Sequence, residues 1–163
     1  MKTLLILRHA KSSWAEADVP DHDRPLNKRG KHDAPRVGRL LADAGLQPQQ
    51  IISSTAKRAR QTAARVADAC GCQDVVVLSR TLYLASAEVY LDVLRGVPDS
   101  LDRVMVVGHN PGLEQLLQLL TGQQIRFPTA ALAHVQLDVA HWRDLLASSP
   151  STLAALWVPR DLD

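Results

Sequence analysis

Thr3-Leu4-Leu5-Ile6-Leu7-Arg8-His9-Ala10-Lys11-Ser12 decides how this chain folds. Its first five residues form a short aliphatic run bounded by polar side chains, the pattern of a buried strand in a parallel sheet. The same pattern returns at Val104-Met105-Val106-Val107, followed by Gly108-His109-Asn110-Pro111-Gly112. Each strand therefore delivers a histidine at its carboxyl end. In an open α/β sheet the ligand crevice lies along that edge, so two imidazoles 100 residues apart in sequence can meet in space.

Outward from these strands, helical and strand patterns alternate. A polar loop, Ser12 to Pro25, leads into an amphipathic stretch from about Lys28 to Ala44, closed by Gly45. A strand near Gln50 to Ser53 precedes a helix from about Lys57 to Ala69 that ends at Gly71. Val75 to Leu78 is the next strand, Ala87 to Leu94 the next helix, and Arg103 to Val107 carries the second histidine. Pro111-Gly112 opens a helix from about Leu113 to Leu120. Ala131 to Val139 and Thr152 to Val158 read as strands around a helical piece at His141 to Leu146. The expected fold is α/β: one domain, residues 1–163, built as a three-layer sandwich. A mainly parallel central sheet has helices on both faces, and the closing strands are a candidate antiparallel edge.

Composition narrows the function classes. The chain has 163 residues, 46% of them hydrophobic, enough for one core. Nineteen basic against 17 acidic residues give a formal charge of +2, which implies no general attraction to nucleic acid or membrane. No segment approaches the roughly 18 apolar residues of a membrane span, and Leu4 to Leu7 is too short for a signal-peptide core. A cytoplasmic protein is expected. Its oligomeric state is open, with a monomer the favoured reading. Cys70-Gly71-Cys72 is neither a Cys-x-x-Cys redox motif nor half of a zinc site, and His22, His32, His134 and His141 are not spaced as ligand pairs. We expect no metal and no cofactor.

The motifs at the carboxyl edge are basic. Arg8 precedes the first histidine, and Ser53-Ser54-Thr55-Ala56-Lys57-Arg58-Ala59-Arg60-Gln61-Thr62 follows the strand ending near Ile52. A guanidinium offers a planar fork of donors that matches phosphate and keeps its charge. Two arginines and two histidines, with no acid in the same motifs, suggest a pocket for a dianion. Together with Arg24-Pro25-Leu26-Asn27-Lys28-Arg29-Gly30, Leu82-Tyr83-Leu84-Ala85 and Gly108 to Glu114, these stretches run in order over nearly the whole chain. The chain resembles the histidine phosphatase (phosphoglycerate mutase-like) superfamily and, within it, the short SixA type of phosphohistidine phosphatase.

That resemblance implies His9 as nucleophile, with Arg8, Arg58 and His109 binding the phosphoryl group and stabilising its charge. Arg58 is selected among Lys57, Arg60 and Arg65 by the family's Ser-x-x-x-Arg-Ala-x-Gln-Thr register. Gln61 and Thr62 are then expected to pack and cap the helix. Lys11, Ser12 and Asn110 border the pocket as candidate phosphate donors, or are exposed loop residues. Gly30 and Gly108 are read as backbone requirements, a turn for one and close approach for the other.

Nucleophilic attack needs a neutral imidazole with a free lone pair, which neighbouring guanidinium charges favour. A backbone carbonyl on the other ring nitrogen would fix the tautomer. The phosphohistidine formed on the enzyme is then hydrolysed. Many relatives carry a carboxylate directly after the second histidine, where this chain has Asn110. Glu88 is the remaining candidate proton donor, or simply an acid in the first turn of a helix. The expected substrate is a histidine-phosphorylated protein of a phosphorelay or phosphocarrier system, placing the chain in signal transduction. The alternatives are a small-molecule phosphomonoesterase and a catalytically silent phospho-ligand binding module.

Overall fold

A computed structural model describes residues 1–162. Six strands, β1 (Lys2–Arg8), β2 (Gln50–Ser54), β3 (Val76–Ser79), β4 (Arg103–Gly108), β5 (Leu132–Leu137) and β6 (Ser151–Trp157), form one sheet in the order β3-β2-β4-β1-β5-β6. The pairs β3-β2, β2-β4 and β4-β1 are parallel; β1-β5 and β5-β6 are antiparallel. The closing strands thus form the antiparallel edge that their sequence suggested. The helical piece between them is a short 3-10 turn, Trp142–Asp144.

Four helices cover the sheet: α1 (Lys28–Asp43), α2 (Lys57–Cys70), α3 (Ala87–Arg95) and α4 (Gly112–Thr121). Alternation along each strand divides them between two faces. Leu5 and Leu7 of β1 with Met105 and Val107 of β4 pack among Val37, Leu41, Ala63 and Val66 of α1 and α2. Leu4, Ile6, Val104 and Val106 face the other way, onto Leu91, Leu94, Leu113 and Leu116 of α3 and α4. Both faces of β1 and β4 are covered, so Leu4 to Leu7 and Val104 to Val107 are apolar at every position rather than alternating. β3 differs: it is one edge of the sheet, and Val77 and Leu78 are exposed.

Helix ends follow from residue chemistry. Asn27 caps α1, its side-chain oxygen accepting from the Gly30 amide at 2.9 Å. Gly71 ends α2 in the left-handed region, where glycine carries no steric penalty. Gly30 is not a turn residue, contrary to the expectation. It lies in the first turn of α1 with its Cα against the backbone carbonyl of Lys11, and any Cβ would drive into that oxygen. Gly108 meets the close-approach expectation, because a Cβ there would strike the Tyr90 hydroxyl. Both contacts hold the backbone beside a strand-end histidine.

Candidate active site

Three neighbouring parallel strands, β2, β4 and β1, bring their carboxyl ends side by side. β1 and β4 pair with Arg8 opposite Gly108, and the His9 amide donates to the Gly108 carbonyl at 3.0 Å. This register places the His9 and His109 rings 5.2 Å apart between centroids. Arg58, in the first turn of α2, follows directly from β2. His9, His109 and Arg58 are all buried, and with Arg8 they line a pocket of about 260 Å³.

The carbonyl that fixes His9 is that of the next residue: Nδ1 lies 2.7 Å from the Ala10 oxygen. Nδ1 must carry the proton, because a carbonyl can only accept, and Nε2 keeps its lone pair. Burial, helped by His109, Arg58 and Arg8, pushes the His9 imidazole down to about 3, against the opposing pull of the Ala10 carbonyl. At neutral pH it is an uncharged base with one free nitrogen.

The Ala10 peptide is itself held. Its amide donates to Thr62 Oγ1 at 2.9 Å, and that hydroxyl donates to the Arg58 carbonyl at 2.7 Å. Gln61 Oε1 accepts from the Leu26 amide at 2.8 Å. These two side chains therefore tie the loop after β1 to α2, a larger role than the packing and capping expected of them.

His109 is fixed differently. Its Nε2 lies 2.7 Å from Ser54 Oγ, and the Ala56 amide donates to that oxygen at 3.2 Å. With Ala56 donating to it, Ser54 can turn its own hydrogen toward Nε2, which leaves Nδ1–H as the imidazole's remaining donor. Nδ1 is buried without a protein partner among the described residues. Burial and then Arg58 lower this imidazole to about 4, with Asp21 opposing.

An acid from outside those motifs pairs with the site's arginines. Asp21, in a 3-10 turn within the polar loop, accepts from Arg58 Nη2 at 3.1 Å through Oδ2, while its backbone carbonyl accepts from Arg58 Nη1 at 2.7 Å. Tyr83 donates to the same carboxylate at 2.5 Å and Arg24 at 3.2 Å. Burial alone would raise the Asp21 carboxyl, but the Tyr83 and Arg58 hydrogen bonds and the Arg58 charge bring it down to about 2. It is a fixed anion that orients Arg58 and leaves Nε of that guanidinium buried and without a partner. Pairing across 37 residues leaves no local sequence signal.

Arg24 is a third pocket arginine that no role was assigned to from sequence. It is buried, donates to Ser12 Oγ at 2.8 Å, and stacks 3.5 Å from the ring centre of Trp14. Its place in the Arg24-Pro25-Leu26 motif was the available signal. Ser12 lines the pocket with its oxygen engaged by Arg24. Asn110 also lines it, donating to the Phe127 carbonyl at 2.8 Å, an oxygen that Arg8 Nη1 approaches at 3.3 Å. Glu88 stands apart: it is exposed in the first turn of α3 and does not line the pocket. Among the described residues no carboxylate lines this pocket and no group of histidine, cysteine, aspartate and glutamate is arranged to hold a metal.

Strand-end imidazoles, one with a free lone pair, stand among guanidinium groups of the kind that bind phosphate. Comparison with known proteins agrees. Residues 4–81 match the model of the histidine phosphatase superfamily (branch 1). An uncharacterized chloroplastic protein of Arabidopsis thaliana is 33% identical over 158 residues, 91% of this chain and 72% of that one. The structure of an Agrobacterium tumefaciens protein assigned as the phosphohistidine phosphatase SixA superposes with a TM-score of 0.82 at 32% identity, covering 97% of this chain and 98% of that one. The protein histidine phosphatase SixA bound to tungstate gives a TM-score of 0.84 at 22% identity over 99% of both chains, a likeness of fold. The chain belongs to the histidine phosphatase superfamily, with the SixA architecture, and its site is that of a phosphatase. No helix among the described residues is long and apolar enough to cross a membrane.

Proposed function

We propose that this protein removes phosphate from phosphohistidine on a protein substrate in two steps through His9, without metal or cofactor. The observation that carries the reading is the pocket's composition: a neutral imidazole nucleophile and several cationic or hydrogen-bonding phosphate ligands, but no carboxylic acid in the wall among the described residues. His9 Nε2 attacks phosphorus as the bond from phosphorus to the substrate imidazole breaks, and that imidazole leaves with a proton taken from solvent. Water then attacks the phosphoryl group on His9, releasing inorganic phosphate and restoring the free imidazole. Arg8, Arg58 and the Nδ1–H of His109 hold the equatorial oxygens in both steps, with Ser12 and Asn110 beside them.

Alkyl phosphates leave as alkoxides and require a proton in the transition state; an imidazole is a far better leaving group. A wall without a carboxylic acid therefore favours the P–N bond. Trp14 and Leu84, both strongly exposed, stand at the rim and leave the mouth accessible to a side chain presented by another protein. A cytoplasmic phosphorelay or phosphocarrier protein is the substrate class that fits.

Two measurements test this. Rapid acid-sensitive labelling should trap a phosphoenzyme in the wild type and none in His9→Ala, whose turnover should fall by about 10⁴-fold or more. Steady-state kcat/KM should be at least about 100-fold higher on phosphohistidine than on an alkyl phosphate, the size of a missing general acid. Comparable values on both substrates would make the protein a phosphomonoesterase, and no phosphoenzyme at all would make it a binding module.

A further inference from the structure

A second depression adjoins the catalytic pocket and shares Lys11 and Thr129 with it. Its volume is about 620 Å³, more than twice that of the pocket and far more than a phosphoryl group fills. The first turns of α1, the loop after α4 and the 3-10 turn Pro159–Asp161 enclose it. Its charge is one-sided: Lys11, Arg29, Arg126 and Arg160 line it, and Asp33 is the single carboxylate in its wall among the described residues. Asp33 is buried and already paired, accepting from Arg29 at 3.2 Å and from Arg36 at 3.0 Å. Among the described residues Arg160 has one loose ion pair, with Asp161 at 3.9 Å. The Lys11 and Arg126 side chains have no ion pair or hydrogen bond among the described residues. In a chain whose formal charge is only +2, this cluster is a local feature and not a reflection of overall composition.

We infer that the groove docks an acidic segment of the phosphoprotein substrate beside its phosphohistidine, an inference that rests on the reading above. Cations of one sign lining a concave surface attract carboxylates and speed their encounter. The geometry sets where those carboxylates belong. Lys11 follows the nucleophile by two residues, a reach of about 7 Å in extended chain. An acidic side chain one helical turn from the phosphohistidine, about 5 to 6 Å between Cβ atoms, is therefore at the right distance for Lys11. Acids farther along the segment meet Arg126 and Arg160. The groove thus distinguishes between phosphohistidine proteins by the charge around the modified residue, while the catalytic pocket reads only the phosphoryl group.

The test uses free phosphohistidine, p-nitrophenyl phosphate and two synthetic phosphohistidine peptides that differ only in carrying Glu or Gln at the flanking positions. Wild-type kcat/KM should favour the Glu peptide by about tenfold, mostly in KM and shrinking with salt, while R126E/R160E should lose or reverse that preference yet stay within about twofold of wild type on free phosphohistidine. R126Q/R160Q, a milder change at the same exposed positions, should fall between them and carries the comparison if charge reversal impairs folding. Equal wild-type rates on the two peptides, or variants that lose activity equally on every probe, would overturn the docking groove and leave the phosphohistidine reading standing. Wild-type activity on p-nitrophenyl phosphate with none on any phosphohistidine probe would overturn both.

Discussion

The two strand-end histidines begin from the same sequence pattern, an aliphatic strand delivering an imidazole to the carboxyl edge, and end as chemical opposites. His9 gives its Nδ1 proton to a backbone carbonyl and keeps Nε2 free. His109 has Nε2 beside the Ser54 hydroxyl, which with the Ala56 amide donating to it can give its hydrogen to Nε2 and leave Nδ1–H as the ring's donor. One ring is arranged to give an electron pair and the other to give a hydrogen bond. The difference comes not from the histidines but from what their neighbours can donate or accept, a carbonyl in one case and a hydroxyl in the other.

The strongest perturbation of this pairing is loss of the guanidinium that serves both rings. Arg58→Ala should remove about 2 to 4 kcal/mol of transition-state stabilisation, or roughly 30- to 1000-fold in rate. Arg58 follows burial directly among the causes that lower His109 but ranks behind burial and His109 for His9. The variant's His109 imidazole should therefore rise more than that of His9 in an NMR titration. Equal shifts in both rings would show that Arg58 does not distinguish them.

Ser54→Ala tests the hydroxyl side of the contrast alone. Releasing Nε2 of His109 frees its tautomer and should cost about tenfold in kcat, consistent with losing one buried hydrogen bond. The neutral state and labelling of His9 should persist. A matching collapse of phosphoenzyme formation would mean that Ser54 acts on the nucleophile as well.

Acid exposes the same asymmetry as a stability effect. Both imidazoles ordinarily titrate near 6.5 and are lowered in the fold, to about 3 for His9 and about 4 for His109. Between those values and 6.5 the unfolded chain binds protons that the folded chain does not, so stability falls as pH drops through this window. Unfolding measured from pH 7 down to pH 4 should show a steady loss, reduced in His9→Gln and in His109→Gln. A flat profile would indicate that the rings are not neutral when buried. The smallest effect belongs to Glu88→Gln, which should alter kcat/KM on phosphohistidine by no more than about twofold, since an exposed first-turn acid contributes only through the helix dipole. A loss of 100-fold or so would restore Glu88 as the proton donor.

The contrast between these rings also marks what the sequence revealed. The sheet, its helices and the convergence of Arg8, His9, Arg58 and His109 were legible because each lies within a few residues of an apolar run whose period announces a strand or helix. The antiparallel edge was legible for the same reason. The groups that give the two histidines different roles were not. Ser54 reaches His109 across 55 residues, Thr62 reaches Ala10 across 52, and Asp21 reaches Arg58 across 37. Such partnerships depend on three-dimensional register, and a serine, a threonine or a loop aspartate is too common to announce them. Gly30 misled for a related reason: glycine marks a turn and a tight contact with the same letter.

One hydroxyl links the proposed nucleophile, His9, to its proposed phosphate clamp, Arg58. Thr62 holds the Ala10 amide and the Arg58 carbonyl together, so the segment after β1 cannot open without disturbing the first turns of α2. Local unfolding there should be cooperative, with the Ala10 amide exchanging its hydrogen in step with the buried amides of α2 and more slowly than the exposed loop that follows. The enzyme's opening fluctuations would then release His9 and Arg58 as one unit, leaving few partly assembled sites to bind phosphate without turning it over.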